Sequence, residues 1–158
     1  MAFSAAQADE IKVVSFNLRR DFGPQCKNRW ETRKELAARL IEESNASIIG
    51  VQEFLPQMRR DLKGLLDGYS IFGRGRLSGK KPQNDEHADI IIKNKEVEVA
   101  RCRTFWLSKN PDIPSRALFA VYPRICTVAE VRLKKSGRRL RVTDPERLRA
   151  CMDQLLQK

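Results

Sequence analysis

No two of the four cysteines stand close together. Cys26, Cys102, Cys126 and Cys151 never reach C-x-x-C spacing, so the chain offers no paired thiols for zinc. Scattered thiols fit a reducing, cytoplasmic compartment, and Cys126, inside an apolar stretch, reads as a core residue. No apolar run approaches the roughly 18 residues that a membrane helix needs. There is no internal repeat and no low-complexity tract. Histidine occurs once, as His87. Acidic residues are too few to balance the basic ones: 20 Asp and Glu stand against 31 Lys and Arg, a formal charge of +11.

What is present fits one soluble globular domain. The 158 residues are 41% hydrophobic, enough to bury a core. The positive excess implies an anionic partner: nucleic acid, a phosphorylated small molecule or an anionic surface. A merely solvated basic surface accounts for it equally well. The opening "MAFSAAQADE" is too short and polar for a complete signal peptide, although Ala6-Gln7-Ala8 resembles the small-residue end of a trimmed secretory leader. Residues 1–10 are expected to be disordered and residues 11–158 to form a single domain.

Periodicity orders the chain as βαβαβ, then antiparallel strands, then a helix. "IKVVSFN" (Ile11 to Asn17) reads as a strand, and "LRRDFGPQCKN" as a loop broken at Gly23-Pro24. In "RWETRKELAARLIEES", residues Trp30, Leu36, Ala37, Leu40 and Ile41 recur at helical spacing, with Asn28 as N-cap and Asn45 closing the helix. "SIIGVQE" follows as a buried strand. "PQMRRDLKGLLDG" is a helix with Pro56 at its start, Gly68 at its end and a Met58, Leu62, Leu65, Leu66 stripe. After "YSIFGRG" comes a basic loop, Arg74 to Asp85. "ADIIIK" and "VEVARCRTFWL" flank a turn, and "RICTVAEVRL" and "RLRVT" form a hairpin across "KKSGR". Ile125, Thr127, Ala129, Val131 and Leu133 share one face. Thr143 or Asp144 caps a last helix, striped by Leu148, Met152, Leu155 and Leu156. The expected fold is α/β: a mixed sheet with helices packed on one face.

Two polar side chains end apolar strands. Asn17 closes the first and Glu53 the second. If the strands are parallel neighbours, both emerge on one rim, where an amide oxygen and a carboxylate suit a hard divalent cation. The plainer reading is a helix-capping glutamate and a turn-forming asparagine. Two basic groups are equally double-edged. Arg132, Lys134, Lys135, Arg138, Arg139 and Arg141 crowd the hairpin, and Arg74, Arg76, Lys80 and Lys81 crowd the loop. Either set could neutralise phosphates, or simply keep an edge solvated. Trp106 reads as core rather than as a base-stacking platform.

"VVSFNLR", then "NRWETRKELAARLI" and "IIGVQEF", followed by "FWLSKNPDIPS" and "YPRICTVAEVRL", resemble the first half of the endonuclease/exonuclease/phosphatase superfamily. The similarity runs from about Ile11 to Val142. It implies half of a four-layer α/β sandwich, with the final helix added. It also implies phosphoester hydrolysis dependent on magnesium or manganese, with a phosphate-containing substrate, nucleic acid favoured. By resemblance, Glu53 is the main metal ligand, with Asn17 in the metal and phosphate network. Arg124 faces the substrate phosphate, and Glu86 orients a catalytic histidine. His87 adjoins Glu86, but strand neighbours point to opposite faces, so a partly exposed loop histidine at a strand entrance is expected there. In relatives the strand matching "RRLRV" runs into an Asn-Thr-His segment, and Gly-Asp-x-Asn and Asp-His segments follow. None appears here. The chain is therefore expected to be incomplete or degenerate, and doubtful as a catalyst alone. A noncatalytic basic phosphate- or nucleic-acid-binding module is the alternative. A half-sandwich would bare one apolar sheet face, giving three outcomes: cover by the last helix, self-association, or a marginal fragment.

Overall fold

The computed structural model of the protein describes residues 10–23, 27–118 and 120–143. The expected N-terminal disordered stretch and the C-terminal helix lie, apart from Glu10 and Thr143, outside those residues. Seven strands and two helices are described: β1 (Val13–Asn17), α1 (Lys34–Glu43), β2 (Ile48–Phe54), α2 (Pro56–Leu65), β3 (Tyr69–Phe72), β4 (His87–Lys93), β5 (Val97–Trp106), β6 (Ile125–Leu133) and β7 (Arg139–Thr143). They form a four-stranded sheet ordered β1-β2-β4-β3 and a three-stranded sheet ordered β5-β6-β7.

β1 and β2 are parallel, with Val13 opposite Ile48 and Asn17 opposite Gln52. Parallel neighbours need a crossover, and α1 supplies it. β4 runs antiparallel to both β2 and β3. Three consequences meet at one rim: β1 and β2 end there, the β3–β4 loop crosses it, and β4 begins there.

Strand alternation divides the core in two. Ile49, Val51 and Ile91 pack with Ala37, Ala38, Ile41, Met58 and Leu62 on the helical side. Ile48, Ile90 and Ile92 point the other way, onto Val97, Ala129, Val131 and Leu133 of the second sheet. The layers are thus helices, four-stranded sheet, three-stranded sheet. The mixed sheet with helices on one face is as expected. The opposite face is not bare among the described residues, because β5, β6 and β7 cover it. The bare face from which self-association was one of three possible outcomes is therefore covered among the described residues. β5 keeps its inward face through a bulge between Val99 and Arg101, so Val99 and Cys102 both pack inward despite their odd spacing.

Several local expectations change. α1 begins at Lys34, after a single 3-10 turn at Trp30–Thr32. Asn28 caps nothing; its carbonyl accepts a bond from Arg33 Nε. Leu36 and Leu40 of α1 are exposed, the buried positions of that helix being Ala37, Ala38 and Ile41, and Leu65 at the end of α2 is exposed as well. Asn45 does end α1, in the left-handed region at φ 50°, which asparagine tolerates. Trp106 is buried core. Cys126 is buried beside Phe105, in the core as expected. No helix among the described residues is long and apolar enough to cross a membrane.

Candidate functional site

The rim is built around an irregularity in β2. Val51 pairs with Asp89 and Phe54 with His87, so Gln52 and Glu53 together oppose Ala88. This bulge puts Glu53 at φ 55°, a left-handed conformation that costs a non-glycine residue roughly 1–2 kcal/mol. The extra residue also resets the alternation. Phe54 returns to the helical core, and the Glu53 carboxylate is turned out to the rim. Bulges commonly re-aim a side chain in this way.

Asn17 meets Glu53 there. Asn17 Nδ2 donates to Glu53 Oε1 at 3.1 Å, and the Arg20 backbone N–H donates to Glu53 Oε2 at 3.0 Å. Asn17 Oδ1 accepts the Arg19 N–H at 2.8 Å. Each of these three oxygens keeps a free lone pair. The parallel β1–β2 pairing is what brings positions 17 and 53 together.

Glu86 stands beside them, immediately before β4. Its carboxylate holds two arginines: Arg76 in a bidentate pair at 2.9 and 3.1 Å, and Arg20 Nη1 at 2.8 Å. Both oxygens are therefore taken by guanidinium groups and not by an imidazole. Arg20 also donates to Asn84 Oδ1 at 3.1 Å. His87 stands at the strand entrance and is partly exposed, as expected, but as the first residue of β4 and not in a loop; its Nδ1 lies 3.1 Å from Asp89 Oδ1. Asp89 is fully buried and also takes Arg59 Nε at 2.8 Å. Gly73 passes so close that a Cβ there would lie 1.9 Å from Asp89 Oδ1. Arg124 shares a recess with Glu53, Glu86 and His87. All four site residues read from the sequence thus border one region.

A wider cleft of about 770 Å³ continues from this recess, lined among others by Arg20, Arg76, Lys80, Lys81, Tyr122 and Arg124. The basic loop faces it. The basic hairpin does not: Leu133 is the far end of β6 from Ile125, roughly 26 Å along the strand. Two hairpin arginines, Arg132 and Arg141, pair with Glu98 and Glu130. Arg20 was missed by sequence reading. Its only signal was its place three residues after Asn17.

Among the described residues, no group of three or more His, Cys, Asp and Glu side chains is arranged to hold a metal ion. An ion at Glu53 would therefore have one carboxylate and the Asn17 amide from the protein.

No family model and no curated protein matches the chain, but solved structures do. A mannosyl-6-phosphatase of Bacteroides thetaiotaomicron VPI-5482 is 31% identical, with a TM-score of 0.78, over 85% of this chain and 50% of that one. An endonuclease/exonuclease/phosphatase from Bacteroides vulgatus is 32% identical, with a TM-score of 0.79, over 85% and 51%. A functionally unknown conserved protein from Enterococcus faecalis V583 is 26% identical, with a TM-score of 0.81, over 93% and 60%. The chain spans about half the length of the first two. Fold and likenesses agree: the chain has the endonuclease/exonuclease/phosphatase fold and is similar to about half the length of proteins of that superfamily.

Proposed function

We propose that the rim is the metal- and phosphate-binding part of a phosphoester hydrolase site, with a phosphodiester in nucleic acid as the favoured substrate. The observation that carries this reading is the β2 bulge. It holds Glu53 in a strained conformation whose visible result is a carboxylate set against Asn17, beside Arg124. Strain retained at a rim is a reason to look for function.

Glu53 and Asn17 would hold a magnesium or manganese ion. The donor set fits, because all available atoms are hard oxygens, and magnesium takes few protein ligands and completes its shell with water and substrate phosphate. When bound, the ion would neutralise negative charge on the phosphoryl group. Arg124 would hold a phosphate oxygen through its planar fork. Glu86 would fix Arg20 and Arg76, two more cations on the wall of the adjoining cleft. No described side chain is assigned to activating water.

Calorimetric titration of magnesium into wild type and Glu53→Ala tests the site. Heat that saturates in wild type and vanishes in the variant is expected; identical heats would remove the ion from the reading. A second reading, a noncatalytic phosphate-binding module, draws support from the occupied carboxylate of Glu86, which has no imidazole to orient. It predicts retention on a polyanion column, without turnover, that survives Glu53→Ala.

A further inference from the structure

We propose that the 770 Å³ cleft is a second anion subsite, so that the substrate carries another phosphate besides the one presented to Glu53. The inference rests on the reading of Glu53 and Arg124 as the primary phosphate site. It concerns the opposite end of the cleft.

Charge is the first argument. Five cationic side chains line the cleft, and Glu86 is its single carboxylate. One phosphate held between Glu53 and Arg124 leaves Lys80 and Lys81, both exposed on the loop, without an anion.

The second argument is how firmly the loop is built. Buried Asp85 accepts the backbone N–H groups of Leu77 and Gly79, each at 2.5 Å. A Cβ on Gly75 would lie 2.3 Å from that carboxylate, so the chain wraps Asp85 as closely as glycine allows. Trp106 Nε1 donates to the Arg76 carbonyl at 2.8 Å. The Arg76 guanidinium lies 5.0 Å from the Tyr122 ring centroid. A loop that only kept a basic surface solvated would need none of these supports. Here they set Arg76, Lys80 and Lys81 along one wall.

The third argument is an unmet donor. Arg76 is 7% exposed, and its Nε–H is buried without an acceptor, as is that of Arg20. Both residues border the cleft. A buried donor without a partner is costly, a cost the fold carries while keeping both guanidinium groups on the cleft wall.

The second phosphate could belong to a short nucleic-acid strand or to a bisphosphorylated small molecule. Calorimetry on the full chain in magnesium separates them, with a nucleoside 5′-monophosphate, a nucleoside 3′,5′-bisphosphate and a tetrathymidylate as probes. A ligand with two phosphates is expected to bind on the order of tenfold tighter than the monophosphate. That ratio should fall toward one in Lys80→Gln/Lys81→Gln and persist in Lys80→Arg/Lys81→Arg. If the tetranucleotide shows the largest ratio, the source is a strand; if the bisphosphate does, it is a small molecule. Glu53→Ala should weaken mono- and bisphosphate alike and leave their ratio standing. Loss of both affinities with the ratio kept supports the primary site and the subsite together. A ratio near one in wild type, or one untouched by the double glutamine variant, overturns the second subsite. An unaltered affinity in Glu53→Ala overturns the primary reading instead.

Discussion

Glu53 separates two properties usually tangled in one residue. Its backbone is strained whatever side chain it bears, whereas only its carboxylate can take an ion. Replacing it with glycine relieves the strain, and alanine does not. Glu53→Gly should therefore be more stable than Glu53→Ala by about 1 kcal/mol in urea denaturation, while both lose the magnesium heat. Equal stabilities would mean that the left-handed turn costs nothing. Glu96 offers a pH test away from the rim. A hydrogen bond from the Ser47 hydroxyl, at 2.6 Å, is the main cause holding its carboxyl below the usual range, with Lys93 adding to it. A depressed folded pKa contributes stability above the unfolded pKa and loses it as pH falls through the folded one. Ser47→Ala should move the Glu96 titration upward by NMR, and narrow the stability difference between neutral and acidic solution. At this scale the sequence was readable where a polar residue ends an apolar strand, as at Asn17 and Glu53. It was not readable where the partner is remote: nothing local tells Glu86 that Arg20, 66 positions away, will share its carboxylate.

For elements, helix α1 shows how far periodicity reaches. Its period is right, yet Leu36 and Leu40 face solvent while Ala37, Ala38 and Ile41 meet the sheet. Ile41→Ala should cost about 2–5 kcal/mol, and Leu36→Ala no more than about 0.5 kcal/mol. Chemical denaturation of the two variants decides between the observed face and a leucine-centred one. The strands were more legible than the helices, since β6 repeats its inward residues from Ile125 to Leu133 and β7 pairs with it across the expected turn. The bulges escaped notice. Each depends on a neighbour strand fixing the count, so no single-strand pattern encodes it. The N-terminus of α1 escaped too, because Trp30 is buried at helical spacing but sits in a separate 3-10 turn.

Across the whole molecule, the second sheet is what the sequence concealed. β5, β6 and β7 read as a continuation of the first sheet, and only the packing of Val97, Val131 and Leu133 onto Ile48 and Ile90 reveals them as a lid. The same packing keeps two basic groups apart: the loop borders the cleft, and the hairpin lies at the far end of β6. Binding of a single strand should register this separation in its salt dependence. Each phosphate contact adds about 0.7 to the slope of log affinity against log salt. Lys80→Gln/Lys81→Gln should thus flatten the slope by about 1.4, whereas Arg138→Gln/Arg139→Gln should leave it as it is. Fluorescence anisotropy across a salt series measures both.

The bulge at Gln52 and Glu53 also bears on how this site could diversify. A kink fixed by strand pairing tolerates any occupant at ease in a left-handed turn, and asparagine, aspartate and glycine all are. Descendants could swap the head group at that spot, and with it their taste for ions, while the scaffold beneath stays put. Valine or isoleucine would be barred on steric grounds alone, before chemistry had any say.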